Sequence, residues 1–223
     1  GPLVAITGSS GKTTTKEMCA AVLSETGPCL KTQGNLNNEF GLPLTLLRRS
    51  PEDEVAVIEM GMNHRGEIAR LADIAQPTIG LVTNIGTAHI EFLGSEEEIG
   101  NEKGDLFAAL PAKGLALVNM DDPQVVQQAK RTACPALRYG LSAAADICAK
   151  NVRFDPSRKN AAGYRFDLST PVGRGEVSVS GLAMTTVINA LAAVATGLAV
   201  NATLPQVAQG LLNYQPERGR MAP

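Results

Sequence analysis

The sequence contains little of what marks a disulfide-stabilised, membrane-spanning or nucleic-acid-binding protein. Its 223 residues include no tryptophan, two histidines and four cysteines, and no C-x-x-C pair occurs. The scattered cysteines (Cys19, Cys29, Cys134 and Cys148) favour reduced, partly buried thiols over a disulfide framework or a metal cluster. No apolar run approaches the roughly 20 residues that span a bilayer, and no signal peptide is visible. The net charge of −2 gives no reason to expect a nucleic acid partner.

What is present is the pattern of one α/β domain. Short β-branched runs alternate with helix-like segments, which predicts a mainly parallel sheet with helices on both faces. Strands are predicted at 3–7, 29–32, 54–60, 78–85, 114–120 and 136–140, and helices at 12–26, 66–75, 96–110 and 122–132. Polar and apolar residues then alternate, which predicts a small antiparallel β meander at the edge of the domain. We expect one domain over 1–220, made of a core at 3–140, a meander at 146–180 and C-terminal helices at 186–213.

A phosphate-binding loop is the clearest local motif, and its spacing is unusual. Residues 3–16 read LVAITGSSGKTTTK, an apolar strand followed by a glycine-containing turn and the start of a helix. The common P-loop has a glycine five positions before its Gly-Lys pair, where this sequence has Ile6. Two glycines still allow backbone N–H groups to surround an anion at the positive end of a helix. A turn that is merely rich in small residues explains the Gly-Lys-Thr order less well.

The pattern T-G-x-x-G-K-T-[TS] resembles the P-loop of the Mur ligase family and of the related folylpolyglutamate synthases. The resemblance implies a P-loop NTPase-like fold in an ATP-dependent enzyme that forms an amide bond through an acyl-phosphate. It also implies that ATP is bound by the loop residues Gly8, Ser9, Ser10, Gly11, Lys12, Thr13 and Thr14. Lys12 would reach the outer phosphates and act in catalysis, and Thr13 would offer its hydroxyl to Mg²⁺.

Two further residues near strand ends are candidate metal ligands. Glu59 closes the predicted strand 54–60, and the carboxyl ends of strands border the ligand crevice of an open α/β sheet. Such a glutamate, taken alone, is more often a capping or ion-pairing residue, but a carboxylate near a P-loop suits Mg²⁺. The resemblance assigns Glu59 to the metal that faces the γ-phosphate. It assigns His89, which follows the strand 78–85, to a second Mg²⁺ site in the catalytic centre.

Lys103 has two interpretations. Composition alone favours a solvated lysine on the helix 96–110. Within the resemblance, KGDLF at 103–107 matches the K-x-x-[LI]-F position, where the lysine is typically carbamylated by CO₂. Carbamylation replaces a cation with a carboxylate, and a carboxylate attracts Mg²⁺ where an ammonium group would repel it. The resemblance therefore implies that Lys103 is a catalytic, carbamylated metal ligand.

An asparagine-rich segment predicts a second ligand-binding region. Residues 31–47 read KTQGNLNNEFGLPLTLL, a polar loop in which Asn35, Asn37 and Asn38 can hydrogen-bond a ligand. An ordinary surface loop would have a similar composition. In one branch of the family, this segment lies near the nucleotide-sugar substrate and the phosphates. His64, within GMNHRGEI, matches a motif of the same branch, so these four side chains are candidate substrate-binding residues.

The adenine side of the predicted site combines a match with a departure. Asn119, in LVNMDDP, ends a strand where the resemblance implies a contact with adenine, and Asp122 can cap the following helix. Family members carry G-x-H-[NM]-x-x-N-A-x-A-A after the meander. The segment SGLAMTTVINALAA supplies Asn189, a candidate nucleotide-binding residue, but Thr185 or Ala183 occupies the histidine position. The contact that this histidine makes to adenine in the family is therefore missing.

Three stretches together indicate one branch of the family: SSGKTTTKEM, NLNNEFGLPLTLL and EMGMNHRGEI. That branch uses ATP to join D-alanyl-D-alanine to UDP-N-acetylmuramoyl-tripeptide in peptidoglycan precursor synthesis, so both substrates are expected partners. A sister ligase that adds glutamate or another amino acid would share the P-loop but should lack the second and third stretches. A nucleotide-binding fragment without catalysis is the third hypothesis, and the missing histidine keeps it open.

The resemblance also implies how the chain is organised within a larger enzyme. It matches the central ATPase of a monomeric, cytoplasmic enzyme with three domains. The N-terminal domain for the UDP moiety and the C-terminal ligase domain would be absent from these residues. We therefore expect this part alone to be inactive in ligation, because closure of the last domain completes the site.

Overall fold

A single sheet forms the centre of the computed structural model, which describes residues 1–87, 95–157 and 162–216. Across these ranges the sheet has nine strands in the order β2-β3-β1-β4-β5-β6-β7-β8-β9. In chain order they are β1 (Leu3–Thr7), β2 (Cys29–Lys31), β3 (Val55–Glu59), β4 (Ile79–Val82), β5 (Leu115–Asn119), β6 (Ala136–Gly140), β7 (Ile147–Asp155), β8 (Gly163–Thr170) and β9 (Gly173–Ser180). Neighbours from β2 to β7 run parallel, whereas β7, β8 and β9 are antiparallel.

Helices cover both faces of this sheet. Within the described ranges they are α1 (Lys12–Leu23), α2 (Gly41–Leu46), α3 (Glu67–Ala75), α4 (Glu96–Ala108), α5 (Pro123–Ala129), α6 (Thr185–Ala199) and α7 (Leu204–Asn213). Buried residues of α1, α6 and α7 form one hydrophobic cluster, and those of α2 to α5 form another. Along β1, Val4 and Ile6 join the first cluster while Leu3 and Ala5 join the second. A strand buried on both faces needs such a continuous apolar run.

This architecture confirms the predicted fold class, an α/β domain with a mainly parallel sheet and an antiparallel β part. The meander is not a separate layer, however. Strand β7 lies parallel to β6, with Tyr139 opposite Ile147, so the antiparallel strands continue the same sheet to its edge. The domain boundaries expected from the sequence stay a prediction.

One prediction of local structure was wrong, because part of the asparagine-rich loop is helical. Helix α2 occupies Gly41–Leu46, inside the segment that was expected to be a polar loop. Asn38 Oδ1 accepts hydrogen bonds from the N–H groups of Phe40 and Gly41, at 3.1 and 2.8 Å, and so satisfies donors at the start of the helix. Pro43 falls in the first turn, where its missing N–H costs no intrahelical bond.

The helix lengths and the cysteines complete the description of the fold. No helix within the three described ranges is long and apolar enough to cross a membrane. All four cysteines are free, and Cys19, Cys134 and Cys148 are buried. Burial raises the pKa of the Cys19 and Cys29 thiols to about 12, which keeps both protonated and poorly reactive at neutral pH.

Candidate functional site

The loop between β1 and α1 turns at two glycines that nothing larger could replace without strain. Gly8 and Gly11 have φ angles of 150° and 75°, which residues other than glycine rarely adopt. A Cβ atom on Gly8 would lie 1.9 Å from Thr83 Oγ1. A Cβ atom on Gly11 would lie 3.3 Å from Asn189 Oδ1. The two glycines therefore let the backbone approach Thr83, directly after β4, and Asn189 on α6.

Two residues after β4 hold this loop in place. The Ser9 N–H donates to the Asn84 carbonyl at 3.0 Å, and the Ser10 N–H donates to Asn84 Oδ1 at 2.9 Å. Thr83 Oγ1 donates to the Ser10 carbonyl at 2.7 Å. Sequence reasoning did not select Thr83 and Asn84. The signal available was a pair of polar residues directly after a buried strand, but only the strand order shows that β4 is the neighbour of β1.

The start of α1 is open to an external anion. Its N-cap, Gly11, supplies no side-chain acceptor, and the first turn contains no acidic residue. An uncapped helix N-terminus presents N–H donors and a partial positive charge. Lys12 adds a full charge, and its Nζ donates to the Gly8 carbonyl at 2.8 Å, so the ammonium group lies over the loop. These features together suit the binding of a phosphate group.

Glu59 lies buried at the carboxyl end of β3, with a relative exposure of 2%. Its Oε1 accepts a hydrogen bond from Asn37 Nδ2 at 2.8 Å. Its Oε2 is buried and has no hydrogen-bond partner among the described residues. A buried carboxylate oxygen without a partner is costly, and a cation would remove that cost. The residues present therefore fit a bound metal ion.

Two cavities adjoin the loop. The first has a volume of about 750 Å³, and the second has a volume of about 470 Å³. Ser10, Gly11, Thr13 and Thr14 line the first cavity. Lys12, between them in sequence, lines the second. The phosphate-binding loop thus forms part of the wall of both cavities and presents different residues to each.

The asparagines predicted on the nucleotide side line the first cavity. Asn119 is 4% exposed, and its Nδ2 donates to the Thr83 carbonyl at 2.8 Å while its Oδ1 accepts from the Asp121 N–H at 3.0 Å. Asn119 therefore braces the residues after β4 and β5. Asn189, on α6, lies against Gly11. Ala183 and Thr185, where a histidine was expected from the resemblance, also line this cavity, as do Leu182, Ile188 and Tyr214.

The four predicted substrate-binding residues line the second cavity. Asn37 also bonds Glu59, and Asn38 also begins α2, so both side chains have structural contacts. Asn35 is exposed. His64 has a side-chain exposure of 71%, and its Nδ1 lies 3.1 Å from Glu67 Oε1.

Lys103 is not a solvated lysine, because it lies on α4 with an exposure of only 1%. Burial, together with the positive charge of Lys12 and against an opposing effect of Glu102, lowers the pKa of its ammonium group to about 7. The influence of Lys12 places Lys103 in the same electrostatic environment as the phosphate-binding loop. The structure thus places Asn37 in contact with Glu59 and in the same cavity as Lys12, and Lys12 acts on Lys103 by charge.

Glu102 is a further buried residue that sequence reasoning missed. Its two carboxylate oxygens accept hydrogen bonds from the N–H groups of Gly66 and Ile68, at 2.8 and 2.9 Å. It therefore caps the start of α3 from the neighbouring helix α4. No sequence signal distinguished it from the other glutamates of α4.

Metal-binding predictions extend beyond what the structure covers. His89 lies outside the described residues, in 88–94. Within the described part of the chain, no three His, Cys, Asp or Glu side chains are grouped so as to hold a metal ion. A cation bound at Glu59 would therefore need other oxygen donors, such as hydroxyl or phosphate groups.

Comparison with known proteins adds independent findings. Residues 6–197 match the Mur ligase middle domain. The chain is 41% identical over 223 residues to the UDP-N-acetylmuramoyl-tripeptide–D-alanyl-D-alanine ligase of Escherichia coli strain K12, an alignment that covers 99% of this chain and 48% of the relative. The crystal structure of MurF from Acinetobacter baumannii superimposes with a TM-score of 0.90 at 35% identity, covering 99% of this chain and 48% of the other.

A second solved structure was determined with a nucleotide. The MurF ligase of Thermotoga maritima in complex with ADP superimposes with a TM-score of 0.84 at 28% identity. The match covers 99% of this chain and 50% of that one. The chain thus spans about half the length of the relatives that it matches.

Proposed function

The chain belongs to the Mur ligase family, and we propose that it is the ATP-binding domain of a ligase that joins D-alanyl-D-alanine to UDP-N-acetylmuramoyl-tripeptide. The observation that carries the proposal is the position of the phosphate-binding loop between two cavities. Ser10, Gly11, Thr13 and Thr14 face one cavity, and Lys12 faces the other. Phosphoryl transfer depends on positioning two substrates and on neutralising charge, and a loop that borders both cavities would suit that task.

ATP fits the first cavity by the chemistry of its lining. The uncapped start of α1, with the ammonium group of Lys12 beside it, would bind phosphate groups. Leu182, Ile188 and Tyr214 offer apolar surface for a base, and Asn119 and Asn189 offer amide groups. The ADP complex of the relative from Thermotoga maritima supports a nucleotide in this family of folds.

Mg²⁺ fits beside Glu59 for a reason that the structure itself supplies. Oε2 of Glu59 is buried without a hydrogen-bond partner among the described residues, so a cation would stabilise it. We propose Glu59 and the Thr13 hydroxyl as ligands, with His89 at a second ion. Bound Mg²⁺ would neutralise charge on the phosphates during transfer.

The second cavity is proposed to hold the terminal carboxylate of the tripeptide. Asn35, Asn37, Asn38 and His64 line it with hydrogen-bonding groups, and Lys12 brings a positive charge to the same space. This arrangement would bring a carboxylate towards the phosphate-binding loop. Attack of the carboxylate on the γ-phosphorus would form an acyl-phosphate and release ADP, while Lys12 stabilises negative charge on the transferred phosphoryl group. The amine of D-alanyl-D-alanine would then attack the acyl carbon, form the amide bond and release inorganic phosphate and a proton.

We further propose that Lys103 carries a carbamate in the active enzyme. A buried ammonium group near Lys12 and a bound cation would be repelled by both, whereas a carbamate is attracted to both. The lowered pKa favours the neutral amine that reacts with CO₂. In this form Lys103 would contribute an oxygen ligand for Mg²⁺.

Calorimetry with a non-hydrolysable ATP analogue and Mg²⁺ tests the nucleotide site. Replacing Lys12 with methionine (Lys12→Met) removes a phosphate-binding charge, so we expect affinity to fall by about tenfold or more, equivalent to about 1.4 kcal/mol. Lys113→Met is the matched control, because Lys113 is exposed at the opposite end of β5 from Asn119. The affinity of the Lys113→Met variant for the ATP analogue should equal that of the wild-type chain.

Two results would contradict the proposal. One is the absence of any binding by the wild-type chain at millimolar analogue. The other is equal affinity in Lys12→Met and Lys113→Met, which would show that the loop lysine does not meet the phosphates.

A further inference from the structure

A second lysine of α1 is buried more completely than Lys12, and the function described above does not use it. The side chain of Lys16 is 1% exposed. Its Nζ donates to the Thr32 carbonyl at 2.8 Å and pairs with Glu17 Oε1 at 2.9 Å. Burying an ammonium group is costly unless it is paired and hydrogen-bonded. Both requirements are met here, so Lys16 forms a fixed link between α1 and the residue after β2.

The contact at Thr32 continues to the candidate metal ligand. Thr32 is fully buried, and its N–H donates to the Val57 carbonyl at 3.2 Å. Its Oγ1 accepts the N–H of Glu59 at 2.9 Å. Lys16 satisfies the buried Thr32 carbonyl, and the Thr32 hydroxyl satisfies the backbone of Glu59. The position of Glu59 therefore depends on Thr32, and that of Thr32 depends on Lys16.

Beyond Glu59, the same contacts reach the second cavity. Glu59 Oε1 accepts from Asn37 Nδ2 at 2.8 Å, and the Asn37 carbonyl accepts from the Gly61 N–H at 2.8 Å. Asn37 and Gly61 both line the second cavity. A displacement of Thr32 would thus displace both Glu59 and the wall of the second cavity, where the carboxylate substrate is proposed to bind.

On the other side, the contacts reach the first cavity through Glu17. Glu17 lines that cavity, and its two carboxylate oxygens bond Lys16 and Lys31. Burial opposes its ionisation, but the hydrogen bonds from Lys16 and Lys31 outweigh that effect and hold its pKa below the ordinary value. Glu17 is therefore a fixed negative charge that keeps the Lys16 ammonium group in place.

We propose that Lys16 is a positioning residue that holds Glu59 ready for a divalent cation while the nucleotide lies in the first cavity. This inference rests on the proposed function, because it assigns the cation to Glu59. Lys16 itself lines neither cavity. It acts through Thr32, and its buried contacts connect the walls of both cavities.

The test compares Lys16→Met with Lys31→Met. Both variants remove one lysine partner of Glu17, but only Lys16→Met also removes the hydrogen bond to Thr32. Without nucleotide, we expect the amide protons of Glu59 and Gly61 to exchange with solvent about tenfold faster in Lys16→Met than in Lys31→Met. With the ATP analogue, we expect Lys16→Met to need about tenfold more Mg²⁺ for half-maximal binding, while its affinity for the analogue without Mg²⁺ is unchanged.

Thr32→Val provides a second route to the same result, because it removes the hydroxyl that binds the Glu59 N–H and keeps the volume nearly constant. It should raise the Mg²⁺ requirement in the same direction. Unchanged exchange in Lys16→Met would overturn the inference, as would faster exchange with an unchanged Mg²⁺ requirement, which indicates a structural role alone. If the wild-type chain binds no nucleotide, the proposed function fails, and the exchange rates still decide whether Lys16 fixes Glu59.

Discussion

At the scale of single residues, the chemistry of Lys103 follows from its burial. A lysine normally titrates at 10.5, but burial and the nearby charge of Lys12 lower the pKa of Lys103 to about 7. Below pH 7 the ammonium form dominates, and above pH 7 the neutral amine dominates. Only the neutral amine attacks CO₂, so Lys103 can form a carbamate under conditions in which an ordinary lysine side chain in water is almost fully protonated.

We expect a carbamate carbon to appear in the carbon-13 NMR spectrum after the chain is equilibrated with labelled bicarbonate. Its intensity should rise from about pH 6 to about pH 8, because the neutral fraction of Lys103 rises through that range. Lys103→Met should remove the signal, and Lys113→Met should keep it. A signal that persists in Lys103→Met, or a wild-type chain that shows none at the upper pH, would exclude the carbamate.

Several residues of the candidate site could be predicted from the sequence, and others could not. The glycines, Lys12 and Glu59 were recognisable because their types and spacing are tied to phosphate and metal chemistry. Thr83 and Lys16 were not, because each acts through a contact with a distant segment. The burial of Lys103 was not predicted either, although Ile99 and Leu106, four and three residues away from it, mark the buried face of α4.

At the scale of elements, α3 begins where it does because another helix supplies its cap. Its own N-cap, Gly66, has no side chain, and Glu102 on α4 accepts the N–H groups of Gly66 and Ile68. A carboxylate with both oxygens engaged in this way anchors α3 to α4 and thereby fixes the segment that carries His64. Helix packing and the second cavity are therefore linked through one buried glutamate.

Glu102→Gln should destabilise the fold by about 1–3 kcal/mol, because the amide NH₂ group cannot accept one of the two backbone N–H groups. Urea unfolding gives the measurement, and Glu97→Gln is the control, since Glu97 is exposed on the first turn of the same helix. The control should change stability by only a few tenths of a kcal/mol. Equal unfolding midpoints for the two variants would show that Glu102 does not act as a cap.

Element types were more predictable than their arrangement. Strand β1 occupies the predicted residues, and helix α7 ends at residue 213 as predicted, because apolar runs and caps are local signals. Helix α2 was missed because Gly41 and Pro43 within six residues favour a turn, and only the Asn38 cap reveals the helix start. The order of strands, and the parallel pairing that joins β7 to β6, depend on contacts between distant segments that no local pattern records.

At the scale of the whole molecule, this domain is expected to bind nucleotide without completing the reaction. The chain spans about half the length of its relatives, and both cavities lie open around the phosphate-binding loop. Enzymes that transfer phosphoryl groups depend on a loop or domain closing over the active site, which excludes water and positions the second substrate.

We expect the 223-residue chain, supplied with ATP, Mg²⁺, the nucleotide-linked tripeptide and D-alanyl-D-alanine, to form no pentapeptide product. The full-length enzyme should form it under the same conditions, and its Lys12→Met variant should not. Mass spectrometry of the product provides the measurement. Pentapeptide formation by the chain alone would show that these residues already contain every group that ligation requires.

The separation of the two cavities by the phosphate-binding loop also bears on how such a protein diverges. Ala183 and Thr185 line the first cavity and not the second. Substitutions can therefore accumulate in the lining of one cavity while selection conserves the lining of the other. A homologue can therefore change its carboxylate substrate through the second cavity and still bind ATP in the first. It can equally change how it binds the nucleotide and still form the same product.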